Sequence, residues 1–468
     1  MKWQPSALAL VGCAGTLLIG CSVGPTYKRP DIPPPAQWHE TAGDANTAKS
    51  SAWPDAEWWH AFGSSTLDEL IAEAERSNDD LAGAIARVEE ANQQARIAGA
   101  ALLPSLDAGM NFSRQREFVT GQNRTSLFNE FNPELTASYE LDFWGKNRAT
   151  RDAARAAAVA SRYDQQTVAL TVISSVATTY FQALELRDRL EVAQQNLDNG
   201  EKILKGFQLE RSAGTATGLD VAQQETAVAL LNAAIPPLQQ QFRQIVHALA
   251  VLIGKTPESV DVEVGTLTQL SSPAIVEGLP SQLLSRRPDV AEAEQNLIAA
   301  NADITVARAA LFPSIQLTAG GGYESTALQG LVNPANEVYS IAAGLTQPIF
   351  QGGALRAQVA FSKARYTELL TTYHKTVLTA FSNVEDALVA TQQTAEQQKR
   401  QQDAVATAKR AFEFAEMQMS AGTVNILTVL NTENALFSAQ DQLVQDNFLR
   451  LQALVDLYTA LGGGWHQG

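Results

Sequence analysis

The chain is written twice. Ala101-Leu102-Leu103-Pro104-Ser105-Leu106 returns as Ala310-Leu311-Phe312-Pro313-Ser314-Ile315, and Phe143-Trp144-Gly145 returns as Phe350-Gln351-Gly352. Further on, Ser212-Ala213-Gly214-Thr215 returns as Ser420-Ala421-Gly422-Thr423 and Ile253-Gly254 as Leu461-Gly462, so the offset stays between 207 and 209 residues along most of a 468-residue chain. A register held over such a distance marks two copies of one structural unit rather than unrelated modules. The fold must therefore come from one plan used twice. Segments 65–254 and 288–464 are the two copies, 255–287 links them, and 21–64 is an extended leader containing Pro33-Pro34-Pro35.

The plan itself is unusual. Leu67, Leu70, Ile71 and Ala74 fall at helical spacing and predict a helix to Leu103, with a break near Ser77-Asn78 and a stop at Pro104. Leu106, Ala108, Met110 and Phe112 then alternate with polar residues, as do Leu135, Ala137, Tyr139, Leu141 and Phe143, which predicts two strands around a polar loop holding Gly121, Asn123 and Asn129. Lys146 to Arg211 contains no proline and predicts one very long helix, on the order of 100 Å at about 1.5 Å per residue. After a turn at 212–218 comes a further helical stretch to Ile253, which Pro236-Pro237 is expected to divide in two. The second copy repeats the scheme, with a helix over 289–311, strands over 314–323 and 338–350, a long helix over 354–419, a turn at Ala421-Gly422-Thr423 and a helix over 426–461.

Composition narrows the partners. A formal charge of −16 argues against nucleic acid, whose phosphates need Lys and Arg stripes. Lys2 followed by an apolar stretch from Ala7 to Ile19 has the layout of a secretory signal over 1–20, too short to span a bilayer. Its end, Leu18-Ile19-Gly20-Cys21, resembles the bacterial lipobox, which implies that Cys21 becomes the first mature residue and carries a diacylglycerol and a fatty acyl group. Ser22 after it resembles lipoproteins sent to the outer membrane. Cys13 would leave with the signal, so the mature chain is expected to hold no disulfide.

Four strands, each with one apolar face, cannot close a cylinder, and open edges would present unpaired backbone groups. Helices run off one end of each strand pair and polar loops cap the other, a geometry that fits strands crossing a bilayer. Lipid permits only a closed barrel, so several copies must share one. No predominantly apolar run in the mature chain approaches twenty residues, so a helical span is not expected. The alternative is a soluble α+β protein with two small hairpins.

This plan, together with the lipobox, Tyr27-Lys28-Arg29-Pro30, Trp58-Trp59, Arg286-Arg287-Pro288-Asp289 and the terminal Ala460-Leu461-Gly462-Gly463-Gly464-Trp465, resembles outer-membrane efflux proteins of the TolC and OprM type, in their lipoprotein, NodT-like branch. The resemblance implies a mainly α fold with a small membrane β part: a homotrimer whose twelve strands form one outer-membrane β-barrel and whose helices form a periplasmic tunnel. It also implies a periplasmic adaptor and an inner-membrane pump of the RND type docked on the helical tips. The implied function is passive export of small toxic compounds or drugs. A type I protein secretion duct and a non-conducting lipid-anchored spacer are the alternatives.

Enzyme chemistry finds no foothold. Gly254-Lys255-Thr256 lacks the first glycine of a phosphate loop, which would fall at Leu249, and Gly254 instead suits a helix end, as Gly462 does. His39, His60, His247, His374 and His466 are scattered, with no pair at metal-ligand spacing. Gly320-Gly321-Gly322 is expected to permit close packing inside a strand.

In the family, the tunnel closes where helix pairs converge, often with inward-facing aspartates just after the Ala-Gly-Thr turn. Here Asp220 follows the first turn, while Thr428 and Asn431 stand where some members carry two aspartates and Val424 stands in place of an arginine that locks the helices. Closure at the second tip is therefore expected to rest on helix packing with hydrogen bonds from Thr428 and Asn431. Asp220 has two readings, a gate charge that would attract cations and the last residue of a capping box, Thr217-Gly218-Leu219-Asp220. Gly214, Thr215, Gly422 and Thr423 are expected to make the tip turns and to offer the surface on which an adaptor docks.

Overall fold

The computed structural model describes residues 23–40, 56–119, 124–260, 265–273, 280–463 and 465. Cys21, the signal stretch before it, Gly121, Asn123, Gly464 and His466 lie outside the described residues. The chain forms two compact units, each drawing on both copies of the plan. One comprises Met1–Asp31, Arg87–Arg162 and Glu292–His374, and the other Ile32–Ala86, Tyr163–Ala291 and Lys375–Gly468.

The first unit holds the strands. β1 (Ser105–Val119), β2 (Arg124–Glu140), β3 (Ser314–Tyr323) and β4 (Glu337–Thr346) form one antiparallel sheet in chain order. Directly opposed residues share a face. The register lines up Leu106, Ala137, Ala319 and Ile341 in one row and Ala108, Leu135, Gly321 and Tyr339 in the next, so the apolar residues make a single continuous face. That face is bare, with Leu106 71% exposed and Ile341 and Tyr339 each 83% exposed. A soluble hairpin protein would have covered it, which removes the α+β alternative. At the glycine run, a Cβ on Gly322 would collide with the Pro133 carbonyl, so strand approach there excludes a side chain.

Three strand limits differ from expectation. The first hairpin is longer, its ladder running to Val119↔Arg124, so Asn129 is strand rather than loop. The hydrogen-bonded ladder continues through Arg114, Gln115 and Arg116, too polar to signal a strand by alternation. β2 stops at Glu140 because Asp142 turns to cap the following helix, accepting from the Asn147 and Arg148 amides at 2.8 and 2.9 Å. β4 stops at Thr346, just ahead of Pro348, which has no amide to give to a ladder.

The helices reproduce the duplication in their lengths. α1 (Ser65–Ser77) and α2 (Asp79–Ala100) precede β1, and α3 (Lys146–Ser212) and α4 (Gly218–Leu252) follow β2. In the second copy α5 (Pro288–Ala309) precedes β3, and α6 (Ala354–Ser420) and α7 (Ile426–Ala460) follow β4. α2 and α5 have 22 residues each, α3 and α6 have 67, and α4 and α7 have 35. α4 runs unbroken through Pro236 and Pro237, contrary to the expected division. Leu231, Ile235 and Leu238 pack continuously on Leu186, Ala193 and Leu197 of α3, and this apolar contact offsets the two missing amide donors.

The second unit has its core around Trp58, Phe62, Ile71, Phe181, Leu249 and Leu454, with Trp58 stacked on Tyr458 at 4.9 Å. α3 also contains an eighteen-residue window apolar enough to cross a membrane by composition, contrary to the expectation of none, with 44% of that window buried inside the protein. The motif residues near the chain's two helix ends serve packing. Asn78 donates to the Leu252 carbonyl at 2.8 Å, and its counterpart Arg287 donates to the Ala460 carbonyl at 3.1 Å while forking onto Asp289. Beside these bonds Gly254 and Gly462 end α4 and α7 at φ 67° and 91°.

Candidate functional site

The two helix hairpins, α3–α4 and α6–α7, end in the same turn. Glu210 accepts from the Thr215 amide at 2.9 Å and Arg211 from the Gly214 amide at 3.1 Å; Gln418 accepts from Thr423 at 2.9 Å and Met419 from Gly422 at 2.8 Å. This is the double bond pattern of a Schellman end, and Gly214 and Gly422 supply its left-handed residue at φ 78° and 71°. The Thr215 and Thr423 hydroxyls add a second bond each to the Glu210 and Gln418 carbonyls, both at 2.9 Å. All four tip-turn residues are thus brought together as turn builders, and they are exposed.

Asp220 sits in the first turn of α4 as the far half of a capping box. Its Oδ2 accepts from both the amide and the hydroxyl of Thr217 at 2.7 Å, and these bonds hold its carboxyl below the usual range. On the second hairpin the cap is Asn425, the counterpart of Thr217, which accepts from the Thr428 amide at 3.3 Å and the Thr428 hydroxyl at 3.2 Å. Thr428 is therefore engaged locally, in its own cap. Asn431 is exposed and lines a groove with Gln223, Thr226 and Leu230 of α4, and Val424 is half-buried.

What holds the hairpins together at this end is apolar. Phe207 and Val221 of the first pack with Ile426 and Leu430 of the second, and Met419 and Ala216 border the cluster. Outside it, Leu209 and Leu219 are 71% and 66% exposed, and Phe414, Met417 and Leu427 are 59%, 57% and 52% exposed. Near the tips, the buried polar residues Gln224 and Glu433 escaped the sequence reading. Gln224 of α4 donates to the Gly200 carbonyl at 3.0 Å, and Glu433 of α7 is 7% exposed. The signal for Gln224 was Gly200, a lone glycine inside a long helix; nothing distinguished Glu433 from the other polar residues of α7. Among the described residues no group of three or more His, Cys, Asp or Glu could hold a metal ion.

The first described stretch of the leader, 23–40, is fastened at both ends. Arg308 donates to the Val23 carbonyl at 3.5 Å, Asn301 donates to that of Pro25 at 3.0 Å, and a Cβ on Gly24 would collide with Thr305. Tyr27 and Arg29 share Glu294, at 3.3 and 3.2 Å. In the other unit, Trp38 packs on Phe381, and the amides of His39 and Glu40 donate to the Glu385 carboxylate at 2.8 and 3.1 Å.

A family model described as outer membrane efflux protein matches residues 70–255 and 279–463. The pyoverdine export outer membrane protein OpmQ of Pseudomonas putida is 41% identical over 458 residues, spanning 96% of this chain and 95% of its own. The cation efflux system protein CusC of Escherichia coli is 32% identical, spanning 97% and 98%. The crystal structure of the Campylobacter jejuni CmeC outer membrane channel superposes with a TM-score of 0.90 at 26% identity over 96% of each chain.

Proposed function

The chain belongs to the outer membrane efflux protein family, and on that footing we propose that three copies share one twelve-stranded barrel and serve as the passive outer-membrane duct of a three-part efflux machine. The observation that carries this reading is the bare apolar face running through Leu106, Ala137, Ala319 and Ile341, on a sheet whose first and last strands each have an unpaired edge. In lipid such edges must be paired, and neighbouring copies supply the pairing. The hairpin tips are the docking surface for a periplasmic adaptor, supported by the exposed Leu209, Leu219, Phe414 and Met417 beside the Schellman turns. Energy comes from an inner-membrane pump of the RND type, the partner that the resemblance to efflux ducts implies.

Cys21 is the acylation site. Val23, two residues on, lies against Arg308 near the end of α5, six residues before β3 begins at Ser314. The seat of Val23 beside the root of β3 supports a lipid anchor at this end of the leader. Mass spectrometry of the N-terminal peptide is expected to show a triacylated cysteine, and an unmodified Cys21 in protein from the outer membrane would refute the assignment.

Cargo is a small molecule chosen by the pump. Relatives of the same plan carry names as different as pyoverdine export and cation efflux, so the duct does not dictate the solute. Swelling of liposomes carrying the purified protein tests the duct: small sugars are expected to enter, and liposomes that admit no solute would make the protein a spacer.

A further inference from the structure

Each hairpin buries one polar side chain about two turns beyond its tip, and the two differ in whether that side chain can ionise. Gln224 is fully buried, with its amide on the Gly200 carbonyl and its Oε1 without a hydrogen-bond partner among the described residues. Glu433 is 7% exposed, and its Oε1 likewise has no hydrogen-bond partner among the described residues. A buried amide imposes the same cost at any pH, whereas a buried carboxyl is far costlier ionised than neutral.

The charge that acts on Glu433 is that of another acid. Burial first, and then the negative charge of Glu416 on α6, push its carboxyl up to about 7. Glu416 is itself pushed up by burial and by Glu413, so two acids follow each other along α6 beside this point. On a neighbouring face of α7, which Glu433 does not line, the groove beside Asn431 and Asn434 receives Gln223, Thr226, Leu230 and Ala234 from α4, none of them titratable. One turn back, Leu430 belongs to the apolar cluster that joins the two tips.

We propose that Glu433 is a proton-controlled catch on the second hairpin, holding α6 and α7 together at the tip when protonated and releasing them when ionised. The equilibrium belongs to the hairpin itself; only its consequence for conduction rests on the channel reading. Opening frees a carboxyl whose ordinary value is 4.5 from a site that holds it near 7, so opening releases a proton. The opening constant therefore rises with pH above 4.5, by at most tenfold per pH unit, and levels off above 7. The catch is set in acid and released toward neutrality, while the Gln224 hairpin stays indifferent.

Amide hydrogen exchange of the full-length protein in detergent, corrected for the intrinsic pH dependence of exchange, reads this opening. Between about pH 5 and about pH 7.5, protection around Glu416 to Glu433 is expected to fall on the order of tenfold to a hundredfold. Protection around Gly200 to Gln224 is expected to hold. Glu433→Gln should keep the second hairpin at its acid-level protection throughout. A pH response that survives in Glu433→Gln, or that both hairpins share, would overturn the proposal. Should Glu433→Gln fail to fold, Glu416→Gln carries the test, since removing the neighbouring charge should move the transition to lower pH, and an unmoved transition refutes the catch. Conductance recorded on the same preparation keeps the two readings apart: a pH response in exchange supports the catch even where no current flows, and the missing current counts against the channel alone.

Discussion

Arg189 of the first repeat lays its guanidinium across the Asp441 carboxylate of the second, Nε to Oδ1 at 2.7 Å and Nη2 to Oδ2 at 3.2 Å, while Nη1 reaches Glu185 at 3.1 Å. The fork ties α3 to α7, so the two copies of the plan are joined by charge as well as by packing. Arg189→Met is expected to leave two carboxylates without their cation. Because the Arg189 and Asp441 side chains are each 22% exposed, water softens the loss to about 1–3 kcal/mol. Arg189→Lys should recover little of it, since an ammonium cannot fork. Thermal unfolding of both variants checks this, and an unchanged midpoint in Arg189→Met would contradict it.

The glycines of the repeat separate two kinds of helix end. At Gly254 and Gly462 the left-handed backbone is combined with a collision that any Cβ would make, against the Ser77 carbonyl in one repeat and the Arg286 carbonyl in the other. At Gly214 and Gly422 the backbone is also left-handed but nothing lies within 4 Å. Alanine at either tip glycine should cost about 1 kcal/mol, the strain of the backbone alone. Alanine at Gly254 or Gly462 should cost roughly 2–4 kcal/mol, because a packed backbone must also move. Denaturation midpoints of the four variants give the comparison, and equal losses at tip and core positions would show that close approach is not what the core glycines serve.

Asp220 completes the cap of its helix. Thr217 holds its carboxyl below the ordinary value of 3.8, so the stabilising bond is present above that value and fades only as pH falls through the lower, folded one. Asp220→Ala is expected to raise hydrogen exchange in the first turn of α4 by severalfold near neutral pH, the cost of a lost cap being about 1 kcal/mol. Cation selectivity of the reconstituted channel should stay as it was. A large fall in that selectivity, with no change in exchange, would return Asp220 to the pore.

Asp188 behaves in the opposite sense. Buried at 8% exposure, it accepts from the Leu267 amide at 2.9 Å and fastens a turn of the linker to α3, while burial pushes its carboxyl from 3.8 up to about 6. The folded state favours the proton, so this stability is whole below pH 3.8 and is lost as pH rises through about 6. Linker protection at Leu267 should therefore weaken between about pH 4 and about pH 6, and Asp188→Asn, which keeps an acceptor without the charge, should flatten the profile. A profile as steep in Asp188→Asn as in the parent would refute the assignment.

The duplication made most of the helical plan legible, because a repeated Pro104 and Pro313 stop the same helix and a repeated Gly254 and Gly462 end another. What stayed hidden has physical causes. Arg114, Gln115 and Arg116 lie in a strand whose pairing comes from its partner, so side-chain alternation carries no trace of it. Pro236 and Pro237 obey a strong local rule that packing on α3 overrides. Asn425 caps a helix from a place where only Thr428, three residues on, hinted at a reciprocal bond. Glu433 is one acid among many polar residues of α7, and only three-dimensional packing singles it out.

The central claim is that the unpaired edges of β1 and β4 meet in neighbouring copies. The sequence has two cysteines, Cys13 and Cys21, and on the proposed reading the first leaves with the signal and the second is acylated, so a cysteine introduced in β1 at Ala108 and a scan of cysteines along β4 from Val338 to Leu345 give a clean test. After oxidation in native outer membranes, at least one pairing should yield disulfide-linked species ending at three chains. Cross-links formed only within single chains, or none at any register, would contradict the shared barrel.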